Sequence, residues 1–314
     1  MGSIITLAFN TVFPLLAMML LGVFIRSKGY ISDETIKYLN MLSSRVFIPF
    51  LLFYNIYDSD LRSTFKLNLF LFELMCVAVI FLLLYFLVPV LVKDRKRRYT
   101  VFTGMYWPNC MMFALPVLTS LCGEAGRQTG TMMIVTVAPL FSAGTVVITE
   151  LYRNSEKVRL GHLLKSIALN PMLWGSLLGL ALNLLGVDLP AALTSPIKSV
   201  AGIATPLALI ALGAFFNRAS LRSLLRVTAL GCVVKLFAIP AMVLAAGLAF
   251  GYSGLSLLGL VVIFASPSAV STFSISDPAY SQPELAALLV SASSLFSVVS
   301  YFIWIILLSA IGVV

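Results

Sequence analysis

Apolar stretches of about 20 residues, each separated from the next by a short polar or charged break, run through the whole chain. A helix needs a stretch of this length to cross the hydrocarbon core of a membrane. The pattern therefore predicts an all-α polytopic membrane protein with ten transmembrane helices. The expected spans are 4–25, 36–56, 67–92, 99–122, 127–152, 163–186, 196–217, 227–251, 254–280 and 284–313.

Helix-breaking and small residues recur at a fixed distance. Pro14, Gly22 and Pro49 each have an identical residue 157 positions later. These counterparts are Pro171, Gly179 and Pro206. Because the offset is half of the 314-residue chain, it indicates a duplicated unit of five helices. An odd number of crossings turns the second copy upside down. We therefore expect two inverted five-helix repeats, residues 1–153 and 163–314, joined by a cytoplasmic linker at 154–162.

The basic residues of the loops indicate how the helices cross the membrane. Loops one, three, five and seven, counted from the N-terminus, are rich in Lys and Arg, above all at 93–98 and 153–165. The even-numbered loops hold few such residues. Since basic loops stay in the cytoplasm, both termini are expected outside it, in a multi-pass protein of the inner or plasma membrane.

Composition excludes several classes of function. Hydrophobic residues make up 60% of the chain and charged residues 11%, which is far from a soluble domain. The net charge of +9 belongs to the loops, so membrane lipids and not nucleic acid are the expected partners. The four cysteines lack zinc-site spacing, and the sequence contains no HExxH, GxGxxG or Walker motif. No enzyme activity, cofactor or metal is expected.

Two of the predicted helices are interrupted by prolines: segment 4 by Pro108 and Pro116, and segment 9 by Pro267. A proline leaves backbone groups unpaired, and in a membrane these must face protein or a cavity. Two such breaks in inverted halves are expected to cross near the midplane and to aim helix N-termini at one spot, which suits an anion. Alternatively, the prolines only kink their helices and nearby hydroxyls bond their own turn. The expected substrate-binding residues are Asn55, Pro108, Asn109, Pro116, Pro267, Ser268, Ser271 and Thr272.

Charged residues at membrane depth are candidates for coupling or charge compensation, because a charge in hydrocarbon is costly. Lys235 lies deep in segment 8 and either holds an anion, pairs with a carboxylate, or is a snorkelling or structural residue. Glu73 either titrates during transport or lies in the outer headgroup layer. Arg45 either draws anions inward or snorkels, and Asp277 either reaches a cavity or begins a cytoplasmic turn. Glu150, near the cytoplasmic end of segment 5, is expected to be solvated.

At these residues the chain resembles the auxin efflux carrier family, which includes the plant PIN-FORMED auxin carriers and bacterial malate permeases. The residues that carry the resemblance are Asn40 and Pro49 in segment 2, Asn109 and Pro116 in segment 4, and Pro267, Ser268, Ala269 and Tyr280 in segment 9. Only a short stretch separates the two halves, so the resemblance is to the compact, bacterial type.

The resemblance implies a fold like that of bile-acid symporters and sodium/proton antiporters. In that fold broken helices 4 and 9 cross, and helices 1, 2, 6 and 7 form a scaffold. It also implies an elevator-type secondary transporter for small organic anions, such as carboxylates or auxin-like acids, and a homodimer. Two alternatives stay open: a sodium-coupled symporter of the bile-acid type, and a membrane sensor or scaffold that only detects its ligand.

Overall fold

The computed structural model describes residues 2–59, 65–153, 168–215 and 221–313. These residues form helices and no strand, apart from one isolated antiparallel bridge between Pro108 and Ser268. The helices are α1 Gly2–Ser27, α2 Asp33–Tyr57, α3 Leu67–Leu91, α4 Arg95–Tyr106, α5 Cys110–Arg153, α6 Pro171–Leu185, α7 Ala191–Phe215, α8 (Leu221–Val233, Val234–Ala238 and Ile239–Ala249), α9 Gly254–Phe264, α10 Ser271–Ser274 and α11 Pro283–Ala310.

Six helices in the described part of the chain are long and apolar enough to cross a membrane, in α2, α3, α5, α7, α8 and α11. The all-α polytopic prediction is therefore confirmed at this level. The spans predicted for segments 4 and 5 are divided differently in the structure. Segment 4 stops being helical at Tyr106, and its second part joins segment 5 in the 44-residue helix α5.

Helix α5 bends at Gly123, where φ is 59° and ψ is −139°. A residue with a Cβ atom does not tolerate this conformation, so glycine is required for the bend. An exposed ion pair follows, with a guanidinium nitrogen of Arg127 2.6 Å from a carboxylate oxygen of Glu124. The hydrogen bond from Arg127 holds the pKa of the Glu124 carboxyl below its usual value. The bend therefore lies at a polar surface of the bundle.

Two further boundaries differ from prediction. Helix α6 begins at Pro171, because the side chain of Asn170 caps the amides of Met172 and Leu173 and proline suits the first helical position. Residues 154–167, which include the predicted linker and the predicted start of segment 6, lie outside the described part. Segment 9, predicted over 254–280 with an interruption at Pro267, is helical only in α9 and in the single turn α10, so its helical part ends at Ser274.

A proline also shapes α8. The π-helical turn Val234–Ala238 directly precedes Ile239 and Pro240, and a wider turn accommodates a proline that cannot donate to the carbonyl four residues earlier. That carbonyl, of Leu236, instead accepts hydrogen bonds from Ser300 Oγ at 2.9 Å and Trp304 Nε1 at 2.8 Å. Side chains of α11 thus replace the missing donor and fix α8 against α11.

The sequence repeat corresponds to a repeated helix contact. A Cβ atom on Gly22 of α1 would lie 2.1 Å from the carbonyl oxygen of Ile210 in α7, and one on Gly179 of α6 would lie 2.6 Å from that of Phe53 in α2. Gly179 follows Gly22 by 157 positions, and Ile210 follows Phe53 by the same offset. Backbones therefore approach closely at equivalent places, with α1 packed on α7 as α6 is packed on α2.

Candidate functional site

The site is built where the break between α4 and α5 meets the break between α9 and α10. The amide of Asn109 donates to the carbonyl of Pro267 at 2.8 Å, and the amide of Ala269 donates to the carbonyl of Trp107 at 2.9 Å. The second bond repeats the first with an offset of 160 residues. Backbone groups that the prolines leave without helical partners are thus satisfied across the two breaks, as a membrane interior requires.

Two predicted site residues stabilise this junction and do not line the cavity beside it. Pro108 cannot donate to the carbonyl of Gly104 a turn earlier, and Ser268 Oγ donates to that carbonyl instead, at 2.6 Å. Thr272 Oγ1 donates to the carbonyl of Thr103 at 3.4 Å. Both hydroxyls are buried, so their role in this structure is to hold the end of α4.

A cavity of about 110 Å³ lies beside the junction, between α2, α5, α7 and the two breaks. Most of its lining is apolar. Its polar side chains are Asn55, Asn109, Thr205 and Ser271. None of these four makes a side-chain hydrogen bond to another described residue, so their amide and hydroxyl groups are free for a ligand. Pro108 also lines the cavity, whereas Pro116 and Pro267 do not.

The first turn of α5 faces the cavity through Cys110, Met111 and Met112. The first amides of a helix have no acceptor within it, and they carry the positive end of the helix dipole. Together with the side-chain amide of Asn109, this turn provides donors for an anionic or strongly polar group. Among the described residues, no charged side chain lines the cavity, and no cluster of three or more His, Cys, Asp or Glu residues exists.

Glu73 is fully buried in the protein, so its side chain does not face lipid headgroups or water. Thr136 Oγ1 of α5 donates to its Oε2 at 2.6 Å, while Oε1 has no partner in the described part of the chain. The neighbours of Thr136 in sequence, Val135 and Val137, line the cavity. The hydropathy pattern placed Glu73 near a helix end but did not show that its face of α3 packs against α5.

Lys235 is 1% exposed and lies in the π-helical turn of α8. Lys235 does not line the cavity. A snorkelling lysine would reach the membrane surface, so that alternative is wrong. Direct contact with a ligand in this cavity is not supported either, because Lys235 is not among the residues that line it.

The remaining charges lie away from the cavity. Arg45 is exposed. Asp277 is also exposed, and its carboxylate accepts from the amide of Ala279 at 2.9 Å, so it begins a turn. Glu150 was expected to be solvated, which is wrong: it is 5% exposed and its Oε1 lies 3.9 Å from a guanidinium nitrogen of Arg153.

Thr205 is the polar cavity residue that the sequence reasoning missed. It directly precedes the repeated Pro206, and the residue 157 positions earlier is Ile48, which also lines the cavity. Ala208 and Leu51 form a second such pair. The offset that linked the prolines would therefore have placed α7 beside α2 in the site.

Two comparisons show that this chain is similar in sequence to membrane transport proteins. A family model described as "Membrane transport protein" matches residues 7–305. A protein of Methanothermobacter thermautotrophicus, named an uncharacterized transporter, is 24% identical over 308 residues, which cover 95% of this chain and 98% of the relative. Both matches include every helix that builds the cavity.

Proposed function

The chain belongs to the membrane transport protein family, which is the family of the auxin efflux carriers, and we propose that it is a secondary transporter for small organic anions such as carboxylates or auxin-like acids. That it is a multi-pass membrane transporter follows from the family and the apolar helices.

The observation that carries the proposal is the free side chain of Asn109 beside the first turn of α5, both facing an otherwise apolar cavity. Such a lining suits a ligand with an apolar body and one polar head. Amide and hydroxyl donors at a helix N-terminus favour an anionic head, of which a carboxylate is the simplest. The cavity volume of about 110 Å³ is smaller than the ~150 Å³ that admits benzene. Short-chain carboxylates fit this state, and aromatic acids require it to open.

The helix contacts support an inverted repeat with crossing breaks and an elevator-type movement. The equivalent glycine contacts of α1 with α7 and of α6 with α2 form a rigid scaffold. The two breaks, held together by reciprocal backbone bonds, form a unit that moves against it. In this arrangement residues 1–153 and 163–314 are the two repeats. The scaffold is the expected homodimer surface. The protein lies in the plasma or inner membrane, with both termini on the side away from the cytoplasm.

Uptake into proteoliposomes tests the proposal. Labelled mono- and dicarboxylates and aromatic acids are offered with and without sodium. Wild-type protein is expected to accumulate at least one acid without a requirement for sodium. Stabilisation of the purified protein by an acid that it does not transport would favour the sensor alternative, because ligand binding alone raises the melting temperature. Uptake that requires sodium would favour the symporter alternative.

Asn109→Ala is expected to weaken apparent affinity in uptake roughly 10- to 100-fold, since a hydrogen bond to a charged group contributes about 1.5–3 kcal/mol. The melting temperature should stay unchanged, because this side chain bonds to no other described residue. Asn68→Ala, at an exposed position of α3, is the matched control and should retain wild-type affinity. Equal uptake kinetics in the two variants would remove Asn109 from the site.

Glu73 bonds Thr136, whose sequence neighbours line the cavity, and we extend the proposal to proton coupling through this carboxyl group. Glu73→Gln keeps the size of the side chain and a partner for Thr136 but cannot exchange a proton. The variant is expected to lose the dependence of uptake on a proton gradient while retaining exchange of labelled for unlabelled substrate. Glu34→Gln, at an exposed position, is the control. Unaltered gradient dependence in Glu73→Gln would exclude this role.

A further inference from the structure

Four buried hydroxyl groups near the cavity have no hydrogen-bond partner among the described residues: those of Ser43, Ser142, Thr145 and Ser274. Each of these residues is at most 4% exposed. Ser and Thr in membrane helices usually bond the carbonyl of their own preceding turn, as Ser176 does here with the carbonyl of Met172 at 3.0 Å. A buried hydroxyl without a partner is destabilising, so four of them call for a functional explanation.

On α5 and α10 these hydroxyls continue the faces that line the cavity. Ala138 and Phe141 line the cavity, and Ser142 and Thr145 follow them by four residues each, which places them on the same face of α5. On α10, Ser271 lines the cavity and Ser274 lies three residues, about one turn, further on. Both elements therefore carry an unpaired hydroxyl one turn beyond the cavity wall.

Helix α2 also carries an unpaired hydroxyl one turn beyond the cavity wall. Ile48 lines the cavity, and its amide donates to the carbonyl of Ser43 in the π-helical turn. The wider turn therefore places Ser43 one turn away on the same side of the helix. One turn further again, Oδ1 of Asn40 is also buried without a partner. Helix α10 packs against this part of α2, which brings Ser274 to the same interface.

All three elements extend from the cavity toward the same side of the molecule. The C-terminal end of α5 meets the start of α4 there, because Arg95 donates to the carbonyl of Tyr152 at 3.2 Å. Lys96 donates to the carbonyl of Pro278 in the turn after α10. Helix α10 packs against α4 and also against the part of α2 that contains Ser43. The unpaired hydroxyls thus lie between the cavity and the side that carries the basic loop 93–98.

We propose that Ser43, Ser142, Thr145 and Ser274 form a second polar subsite, the hydroxyl subsite, which receives the carboxylate of the transported anion when the carrier opens toward the basic loop. The inference rests on the proposed function. In the present arrangement α10 packs against α2 and the hydroxyls are buried. When these elements separate, the hydroxyls donate to the carboxylate oxygens or to water, and the cost of burying them unpaired disappears. The basic loop raises the local anion concentration at this mouth.

Alanine substitution separates this role from a structural one. The double variant Ser43→Ala with Ser274→Ala is expected to raise the melting temperature by a few degrees, since it removes two unpaired donors from the closed state. It should also slow uptake several-fold, while the melting-temperature shift produced by substrate, which reports the Asn109 cavity, stays as in wild type. Thr228→Ala on α8, where another buried hydroxyl has no partner, should raise the melting temperature without slowing uptake. Equal uptake in the double variant and in Thr228→Ala would overturn the proposal.

Thiol labelling tests the subsite without relying on transport. Ser43→Cys and Ser142→Cys are treated from each side with a charged, membrane-impermeant thiol reagent. The added mass is compared with the unmodified chain, which has four native cysteines. Labelling from the basic-loop side only is expected, with a several-fold change in rate on addition of substrate. Absence of labelling in variants that transport would exclude the subsite. Labelling in a protein that transports none of the acids would show that the subsite can be reached from the basic-loop side, and it would contradict the proposal that the protein is a transporter.

Discussion

Gly213→Ala is expected to lower the melting temperature strongly, because a Cβ atom at this position of α7 would lie 1.9 Å from the carbonyl oxygen of Met19 in α1. The obstructing atom belongs to the backbone, so a side-chain rotation cannot relieve the clash, and the two helices must separate. Overpacking lowers the free energy of unfolding by about 1–3 kcal/mol even where neighbouring side chains adjust. For a clash with the backbone we expect a loss at or above the upper end of this range. The measurement is thermal unfolding of the purified protein in detergent.

Helix α7 contains its own control for this prediction. At Gly202, an added Cβ atom meets nothing within 4 Å. Gly202→Ala is therefore expected to be neutral or to stabilise the protein by up to about 1 kcal/mol, the usual gain of alanine over glycine within a helix. Gly22→Ala, which would bring a Cβ atom to 2.1 Å from the carbonyl oxygen of Ile210, should behave like Gly213→Ala. Equal melting temperatures for the substitutions at 202 and 213 would show that α1 and α7 do not pack as closely as described.

The contrast between Gly22 and Gly202 shows what the sequence could and could not predict. Gly22 was singled out because it recurs as Gly179, and both lie at close helix contacts. Hydropathy alone predicts that both glycines lie in membrane helices. It does not state which face of a helix meets a neighbour, because apolar residues surround these helices on the lipid side as well.

The same limit explains why only some of the predicted site residues line the cavity. Proline positions predicted both breaks, and Asn55, Asn109 and Ser271 do line the cavity. Ser268 was chosen for the same reason as Ser271, yet its hydroxyl points to the carbonyl of Gly104. Within an irregular segment, neither the 3.6-residue period nor the two-residue period applies, so the direction of each side chain depends on tertiary contacts. The burial of Glu73 could not be predicted for a related reason, because it depends on which face of α3 packs against α5.

Asn183→Asp is expected to produce a second large loss of stability. The side-chain amide of Asn183 in α6 donates to the carbonyls of Ile56 and Tyr57, both at 3.1 Å, and to that of Ser59. The last carbonyls of a helix have no partner within it, so this amide caps the end of α2 together with the hydroxyl of Ser59, which donates to the carbonyl of Ile56 at 2.7 Å. Aspartate has the same shape but places an acceptor oxygen where the donor nitrogen lies. The carbonyls of Tyr57 and Ser59 lose this donor and face a like partial charge, at an expected cost of about 3 kcal/mol or more.

Because the end of α2 also positions Asn55 in the cavity, Asn183→Asp should reduce ligand affinity together with stability. The measurement is the melting temperature with and without a transported acid. Asn68→Asp, at an exposed position of α3, makes the same chemical change without a buried acceptor and should leave both quantities as in wild type. Since α2 packs on α6 and α7 and forms a wall of the cavity, a loss of affinity in Asn183→Asp alone would link the scaffold contact to the site. A normal melting temperature in that variant would mean that water or another donor caps α2, and the affinity should then also be normal.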